Sequence, residues 1–289
     1  MAVNVLQRTA YQMFGKRAER SPERDLLEEN LRRARLEVRA EAYLAQAWLV
    51  SIAGMALAAL LAVVLFFVMV FSFGVNPIYG ILLLVAPGFG YFGTYAMLLR
   101  YPKTKAKARA KDIDAKLPYA ANYITAMASA GVIPADIFRS LASQEVYGEA
   151  AREAAWIYKD LEVHGMDVVT AMRRAIARSP SQKLQDLLQG AITTITSGGD
   201  LTAYFRTKAS RLQYENRAAQ QEFVETMGLF AEAYVTAAVA GPLFLIVMLI
   251  IFVLIGYADF AFVQLLVYFL IPALNLGFLV AIQSQIPEV

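Results

Sequence analysis

Three stretches of this chain carry no charged side chain, and they decide what it can fold into. From Ala42 to Leu99 there is no Asp, Glu, Lys or Arg, and the same holds from Ala233 to Ala258 and from Phe260 to Pro287. A helix crossing the hydrocarbon core of a bilayer needs about 20 consecutive, mostly apolar residues. The first stretch is long enough for two crossings and each of the others for one. The expected fold class is therefore an all-α membrane protein, with four transmembrane helices in two hairpins flanking a cytoplasmic helical-bundle domain. The expected segments are a cytoplasmic amphipathic N-terminal segment (1–43), a first transmembrane hairpin (44–99), a cytoplasmic helical domain (100–232), and a second hairpin with a short cytoplasmic tail (233–289).

Charge placement sets the expected orientation. All 27 Lys and Arg lie within residues 1–43 or 100–232. By the positive-inside rule both segments face the cytoplasm, so both chain termini are expected there. The short loops near Phe73–Asn76 and Gly256–Asp259 are then external. The net charge of +3 is too small to point to nucleic acid. The chain has no cysteine, which removes disulfides, thiolate catalysis and sulfur metal ligands. No apolar run precedes Leu44, so the first span is expected to act as its own insertion signal.

Helical periodicity organises the rest. From Pro22 onward, Leu27, Leu31, Ala34 and Val38 share one face of a helix leading to the first span. In that span Gly54 and Ala58 form a small-residue pair that permits close helix approach. The second span begins at about Ile78, after Pro77, and holds Gly88, Gly90 and Gly93. A basic run follows, in which Lys103, Lys105, Lys107, Arg109 and Lys111 are expected to face lipid headgroups or an acidic partner. Leu117–Ala130 reads as a separate helix with Pro118 in its first turn and Gly131 as its stop. Pro134 opens a helix burying Ile137, Phe138 and Leu141. A helix after Gly148 places Ala154, Ile157, Tyr158 and Leu161 on one stripe. A helix capped by Asp167 buries Val168, Val169, Met172 and Ile176, and one from Lys183 to Thr196 buries Leu184, Leu187, Leu188 and Ile192. Asp200 caps a long polar helix expected to run into the third span. Gly241-Pro242 is expected to kink that span, and Pro272 and Asn275 lie in the fourth.

The residue types needed for catalysis are sparse. His164 is the only histidine and sits beside a helix-stop glycine, as a cap would. No His, Asp and Glu cluster has metal-ligand spacing, and no P-loop is present. Glu222 and Glu225 share a polar helix face, where solvation explains them. Neither an enzyme active site nor a cofactor or metal site is expected. No ionisable residue sits at the centre of a span, which argues against an ion or proton pathway.

Three joints in sequence carry a resemblance: Gly131-Val-Ile-Pro134, the helix start Gly165-Met-Asp-Val-Val-Thr-Ala-Met172, and Gly198-Gly-Asp-Leu201. With the exit through a long polar helix into a span, residues 112–255 resemble the F-type platform domain of type II secretion systems, type IV pili, Tad pili and the archaellum. The chain holds one such domain where the double-domain platforms hold two, and so looks most like the shorter Tad-type platforms or half of an archaeal one. The resemblance implies a non-enzymatic platform in the cytoplasmic membrane of a prokaryote. Its implied partners are a secretion-type hexameric ATPase, pilin or pilin-like subunits, the lipid bilayer, and a second platform chain that is either an identical copy or a paralogue. Arg173, Arg174, Arg178 and Lys183 cluster around one helix break and are candidates for the ATPase-facing surface. Gly131, Pro134, Gly198, Gly199, Gly241 and Pro242 are candidate hinges. The alternative readings are a transporter or channel subunit, or another membrane scaffold.

Overall fold

The computed structural model describes residues 5–285 except 20, 23, 37, 74–84 and 258. These residues form α1 (Val5–Ala18), α2 (Arg24–Arg33), α3 (Ala40–Phe73), α4 (Ala86–Ser129), α5 (Pro134–Ala142) and α6 (Gly148–Glu162). They continue as α7 (Val168–Arg178), α8 (Gln182–Thr196), α9 (Leu201–Tyr234), α10 (Gly241–Ile255), α11 (Phe260–Leu265) and α12 (Ile271–Gln285). No strand occurs among the described residues. The chain divides into two compact units, residues 1–205 and 206–289.

Three helical segments among the described residues are long and apolar enough to cross a membrane: Ala40–Val68, Leu201–Ile255 and Phe260–Gln283. Large apolar side chains such as Leu57, Leu60 and Phe67 stand more than half exposed on the first of them. An exposed apolar surface of that kind suits lipid and would be an aggregation hazard in water. The expected second span is only partly within view. Its first residues, with Pro77 and the preceding loop, lie outside the described residues, and its remainder is the start of α4.

In the first unit, α3 and α4 pack through the small residues. A Cβ built on Gly54 would stand 2.6 Å from Thr94 Oγ1, and one on Gly90 would stand 2.5 Å from the Ala58 Cβ. The Gly54/Ala58 pair thus does what its spacing suggested. Of the three clustered glycines only Gly90 is at this contact, because Gly88 and Gly93 face open space. At the base of α3 a small core joins Ala18, Leu27, Leu31, Ala40 and Leu44. The Arg24–Glu41 ion pair at 2.8 Å lies beside it.

Two helix boundaries differ from the sequence reading. Helix α2 stops at Arg33 and does not lead into the span. Arg35 takes a left-handed φ of 55°, and the Leu36 N–H closes back on the Leu31 carbonyl at 3.0 Å. Leu27, Leu31 and Ala34 are buried as expected, but Val38 lies beyond the break. Helix α4 runs unbroken for 44 residues through Pro102 and Pro118. It fuses the end of the expected second span, the basic run and the expected Leu117–Ala130 helix. Proline removes the N–H that would bond the carbonyl four residues earlier. For Pro102 that carbonyl belongs to Leu98, and the Tyr43 hydroxyl donates to it at 2.8 Å. A side chain from α3 thus replaces the missing helix bond.

Helix α4 ends as the sequence indicated. Gly131 has φ 76°. The Val132 and Gly131 N–H groups bond the Met127 and Ala128 carbonyls, which is a Schellman stop. Gly198 repeats the device at the end of α8, with φ 69° and bonds from Gly199 and Gly198 to Thr194 and Ile195. Asp200 then caps α9, accepting from Thr202 N at 2.8 Å. The bundle core is built from Ile113, Leu117 and Ile124 of α4, Ile137, Phe138 and Leu141 of α5, Ile157 of α6, and Leu184, Leu187, Leu188 and Ile192 of α8. On α7 the buried residues are Ala171, Met172 and Ala175, so Val168, Val169 and Ile176 sit at the margin.

In the second unit, the expected kink at Gly241-Pro242 takes the form of a change in helix register. A π segment, Val235–Ala240, precedes α10, and another, Leu266–Leu270, precedes α12. Each widened turn restarts the α register so that Pro242 or Pro272 falls in a first turn, where no amide donor is needed. Asn275 is used within the unit. Its Oδ1 accepts from the Tyr234 hydroxyl at 2.8 Å, and its amide donates to the Ile271 carbonyl at 2.9 Å.

Candidate functional site

The most distinctive site in the first unit is a buried charge cluster on α6. Glu149, Glu153, Trp156 and Asp160 follow one another at intervals of four, three and four, so they share a helix face. That face turns inward. Glu153 and Asp160 are each 1% exposed, beside Ala154 and Ile157. The expected stripe kept Ala154 and Ile157, but Tyr158 and Leu161 are only partly covered. The helix is rotated toward its acidic side because cations from three other segments meet it there.

Arg109 of α4 is the central cation. Its Nε donates to Glu149 Oε2 at 2.7 Å and its Nη2 to Glu153 Oε1 at 2.6 Å. Its Nη1 donates to the Arg33 carbonyl at the end of α2. Arg35 approaches Glu153 at 3.6 Å and donates to the Arg152 carbonyl at 2.7 Å. On α7, Arg178 donates to Asp160 Oδ2 at 2.8 Å and Arg174 reaches Asp160 Oδ1 at 3.3 Å. His164 Nδ1 lies 3.1 Å from the same oxygen, which gives the lone histidine a structural partner. Around the Trp156 ring stand the Arg35 and Arg178 guanidinium carbons, each 5.4 Å from its centroid, and the Lys159 ammonium at 5.3 Å. Such cation–π contacts add attraction beyond area burial.

The electrostatics follow from this geometry. Burial works to raise the Glu149 carboxyl, but hydrogen bonds and charge from Arg109 and Arg152 outweigh it and hold the group below the usual range. Asp112 is balanced the same way. Burial raises it, while Lys116 and the Glu149 N–H, which donates to it at 2.7 Å, bring it down. Asp112 thereby supplies from α4 the anionic cap that α6 lacks at its own N-terminus. Burial lowers the Arg35 guanidinium from its ordinary value, and the Glu153 carboxylate offsets only part of that. Removing one partner from such a buried pair costs about 3–5 kcal/mol, because the other charge is left uncompensated. The arrangement clamps the α2 end, α4, α6 and α7 together and offers no nucleophile or free base.

The sequence-predicted residues fall on both sides of this cluster. Arg109 is buried, at 7% exposure, and bonds carboxylates, which corrects its expected place in a lipid-facing run. A guanidinium between two carboxylates on a packed face has no path to a headgroup. Lys103, Lys107 and Lys111 remain exposed and Lys105 is half-buried. Arg173 and Lys183 are exposed, whereas Arg174 and Arg178 turn toward Asp160. Gly131 and Gly198 are helix stops, Pro134 opens α5, and Gly199 packs close to Thr194. Gly241 and Pro242 begin α10.

Residues 120–249, from the middle of α4 into α10, match the family model of the type II secretion system protein F. The chain resembles an F domain over those residues. The matched stretch takes in α5 to α9 and most of the charge cluster, while Arg35 and Arg109 reach the cluster from outside it. Half of the chain is 32% identical, over 146 residues, to an uncharacterized protein of Methanocaldococcus jannaschii, covering 24% of that protein. A second relative from the same organism, flagella accessory protein J, is 24% identical over 153 residues, covering 53% of this chain and 27% of its own length. The chain thus spans about a quarter of the length of these curated relatives. No solved structure matches it. Residues 120–249 are thus similar to protein F of type II secretion systems, and three helical segments among the described residues are long and apolar enough to cross a membrane.

Proposed function

We propose that this protein is the membrane platform of a type IV filament or type II secretion-like machine, coupling a cytoplasmic secretion ATPase to the assembly of pilin-like subunits. The observation that carries the reading is the match to protein F over residues 120–249, which follows one apolar span and runs into the next. Family proteins of this type are structural platforms and not enzymes, in keeping with the non-catalytic chemistry of the cluster. In this reading both termini and the F domain face the cytoplasm, because every Lys and Arg lies in residues 1–43 or 100–232. The helical backbone from Leu201 to Ile255 is the element through which a push on the F domain reaches the bilayer. The joints at Gly131-Pro134 and Gly198-Gly199, and the π segment before Gly241-Pro242, are where it yields. Exposed Lys103, Lys107 and Lys111, with half-buried Lys105, meet anionic headgroups. A second copy or a paralogue completes the platform.

Arg173 and Lys183 are the exposed cations left for the ATPase, flanking the break between α7 and α8. The test is co-purification of the full chain with its cognate secretion ATPase, with stoichiometry read by native mass spectrometry. A dimer that captures the ATPase, and loses it on Arg173→Glu/Lys183→Glu, is the expected result. A chain that ignores the ATPase even when co-expressed with its neighbouring membrane protein would overturn the reading.

A further inference from the structure

Beside the buried cluster lies a cleft of about 580 Å³, walled by the end of α2, by α6 and by α7. That volume is in the range of small-ligand sites, about 300–1,000 Å³. Five permanent cations line it (Arg32, Arg35, Lys159, Arg174 and Arg178) against two carboxylates, Glu153 and Asp160. The two signs occupy different depths. The carboxylate side chains are 2% exposed and already engaged by guanidinium groups. The Arg32 and Arg174 side chains are 60% and 53% exposed, at the mouth. A ligand entering the cleft meets cations first, and below them acids whose charge is neutralised.

The clamp described above needs only part of this positive charge. Arg109, Arg35 and Arg178 suffice to neutralise Glu153 and Asp160. Arg32 adds only an exposed pair with Glu28 at 3.3 Å, one turn away, worth a few tenths of a kcal/mol. Lys159 projects over the Trp156 ring. Arg178 Nε and Nη2 are buried with no hydrogen bond, as is Glu153 Oε2, which pairs with that Nε only at 3.7 Å, so Nη2 is the donor left over. Converging guanidinium forks with one ammonium are suited to a tetrahedral dianion, because each fork can donate two parallel bonds to phosphoryl oxygens.

We propose that this cleft binds a phosphoryl group, carried either by a small soluble phosphate ester or by an anionic phospholipid headgroup. The headgroup source is sterically open. Leu36 lines the cleft and precedes by four residues the first residue of a candidate span, Ala40, a reach of at most about 14 Å of chain. Either ligand bridges Arg32 and Arg35 to Arg174 and tightens the attachment of the N-terminal helices to the bundle.

Trp156 supplies the readout, since the chain has only two tryptophans and Trp48→Phe leaves Trp156 alone. The full chain is titrated with inorganic pyrophosphate in detergent, and compared in nanodiscs of anionic and of zwitterionic phospholipid. The expected result is a saturable change in Trp156 emission that weakens at least about tenfold, or 1.4 kcal/mol, in Arg32→Ala/Arg174→Gln. That variant spares Arg109, Arg35 and Arg178, and an unchanged melting temperature confirms that the clamp is intact. A response to pyrophosphate assigns the soluble source, and a response confined to anionic nanodiscs assigns the headgroup. No saturable change in either setting up to about 1 mM, or one that the double variant leaves unaltered, overturns the proposal.

Discussion

Replacing Arg109 with Met tests whether the charge cluster holds the N-terminal helices and the bundle together. The side chain is 7% exposed and makes two short ion-pair hydrogen bonds, at 2.7 Å to Glu149 and 2.6 Å to Glu153, besides its bond to the Arg33 carbonyl. Met keeps the volume of the stem and removes all three. Glu149 keeps Arg152, which is mostly exposed. Glu153, 2% exposed, keeps only Arg35 at 3.6 Å and Arg178 at 3.7 Å. An uncompensated buried charge of this kind costs about 3–5 kcal/mol. At roughly 2–4 °C per kcal/mol for a unit of this size, the melting temperature should drop by about 6–20 °C. The assay is thermal melting of the full chain in detergent, followed by far-UV circular dichroism. Arg109→Met with Glu153→Gln should cost less than the two changes summed, with a coupling above about 0.5 kcal/mol. A drop of under about 3 °C, or strict additivity of the two changes, would refute the reasoning and leave the cluster as a solvated ornament.

Acid should loosen the same contact. Glu149 and Asp112 both sit below their ordinary values in the folded chain, so the unfolded chain takes up protons first as the pH falls. Their stabilisation is complete above the unfolded values near 4 and is lost as pH falls through the lower folded ones. Melting temperature against pH should be flat from neutrality to about 5 and decline below about 4, with a shallower decline in Glu149→Gln. Gly190→Ala should destabilise by about 2 kcal/mol, because its methyl would run into the Tyr204 ring, whose hydroxyl donates to the Leu187 carbonyl at 2.9 Å. Denaturant titration of the purified chain measures it, and a neutral result would remove that contact from the account. Gly90→Val should separate α3 from α4, since even a Cβ there stands 2.5 Å from Ala58. Cysteines placed at Gly54 and Thr94, whose Cβ positions would lie 3.3 Å apart, should then crosslink less readily than with Gly90 intact, and equal crosslinking would contradict the packing.

The fold was legible wherever a local rule acts alone. Charge-free runs marked apolar spans, and periodicity found α5 and α8 with their buried residues. Gly131 and Gly198 announced the helix stops, because a left-handed residue after a helix favours glycine. Reading failed where a tertiary partner overrides the local rule. Pro118 looked like a helix start and lies inside α4, and Pro102 is tolerated because a tyrosine from α3 bonds the carbonyl it strands. Helix α1 was not foreseen either. Its anchoring to α3 comes through Phe14 and Arg17, which meet the Trp48 ring at 6.1 and 5.8 Å, and sequence periodicity within α1 carries no trace of that partner.

The candidate site was hidden for a related reason. Periodicity finds buried faces by their apolar residues, and the buried face of α6 is half acidic. Ala154 and Ile157 fit two overlapping stripes, one completed by Tyr158 and Leu161 and the other by Glu153 and Asp160. Only the count of cations in other segments could have chosen between them, and a single sequence does not say which segments meet. The usable signal was the spacing of Glu149, Glu153, Trp156 and Asp160 together with the Arg174 and Arg178 pair one turn apart on the following helix. Acids aligned on one helix, answered by arginines aligned on its neighbour, are worth testing as a buried seam before they are assigned to solvent or to a partner. Here that test reassigns Arg109 from the lipid face to the core. It also turns Arg174 and Arg178 toward Asp160, which leaves Arg173 and Lys183 as the two residues of the proposed ATPase-facing set that take no part in the cluster.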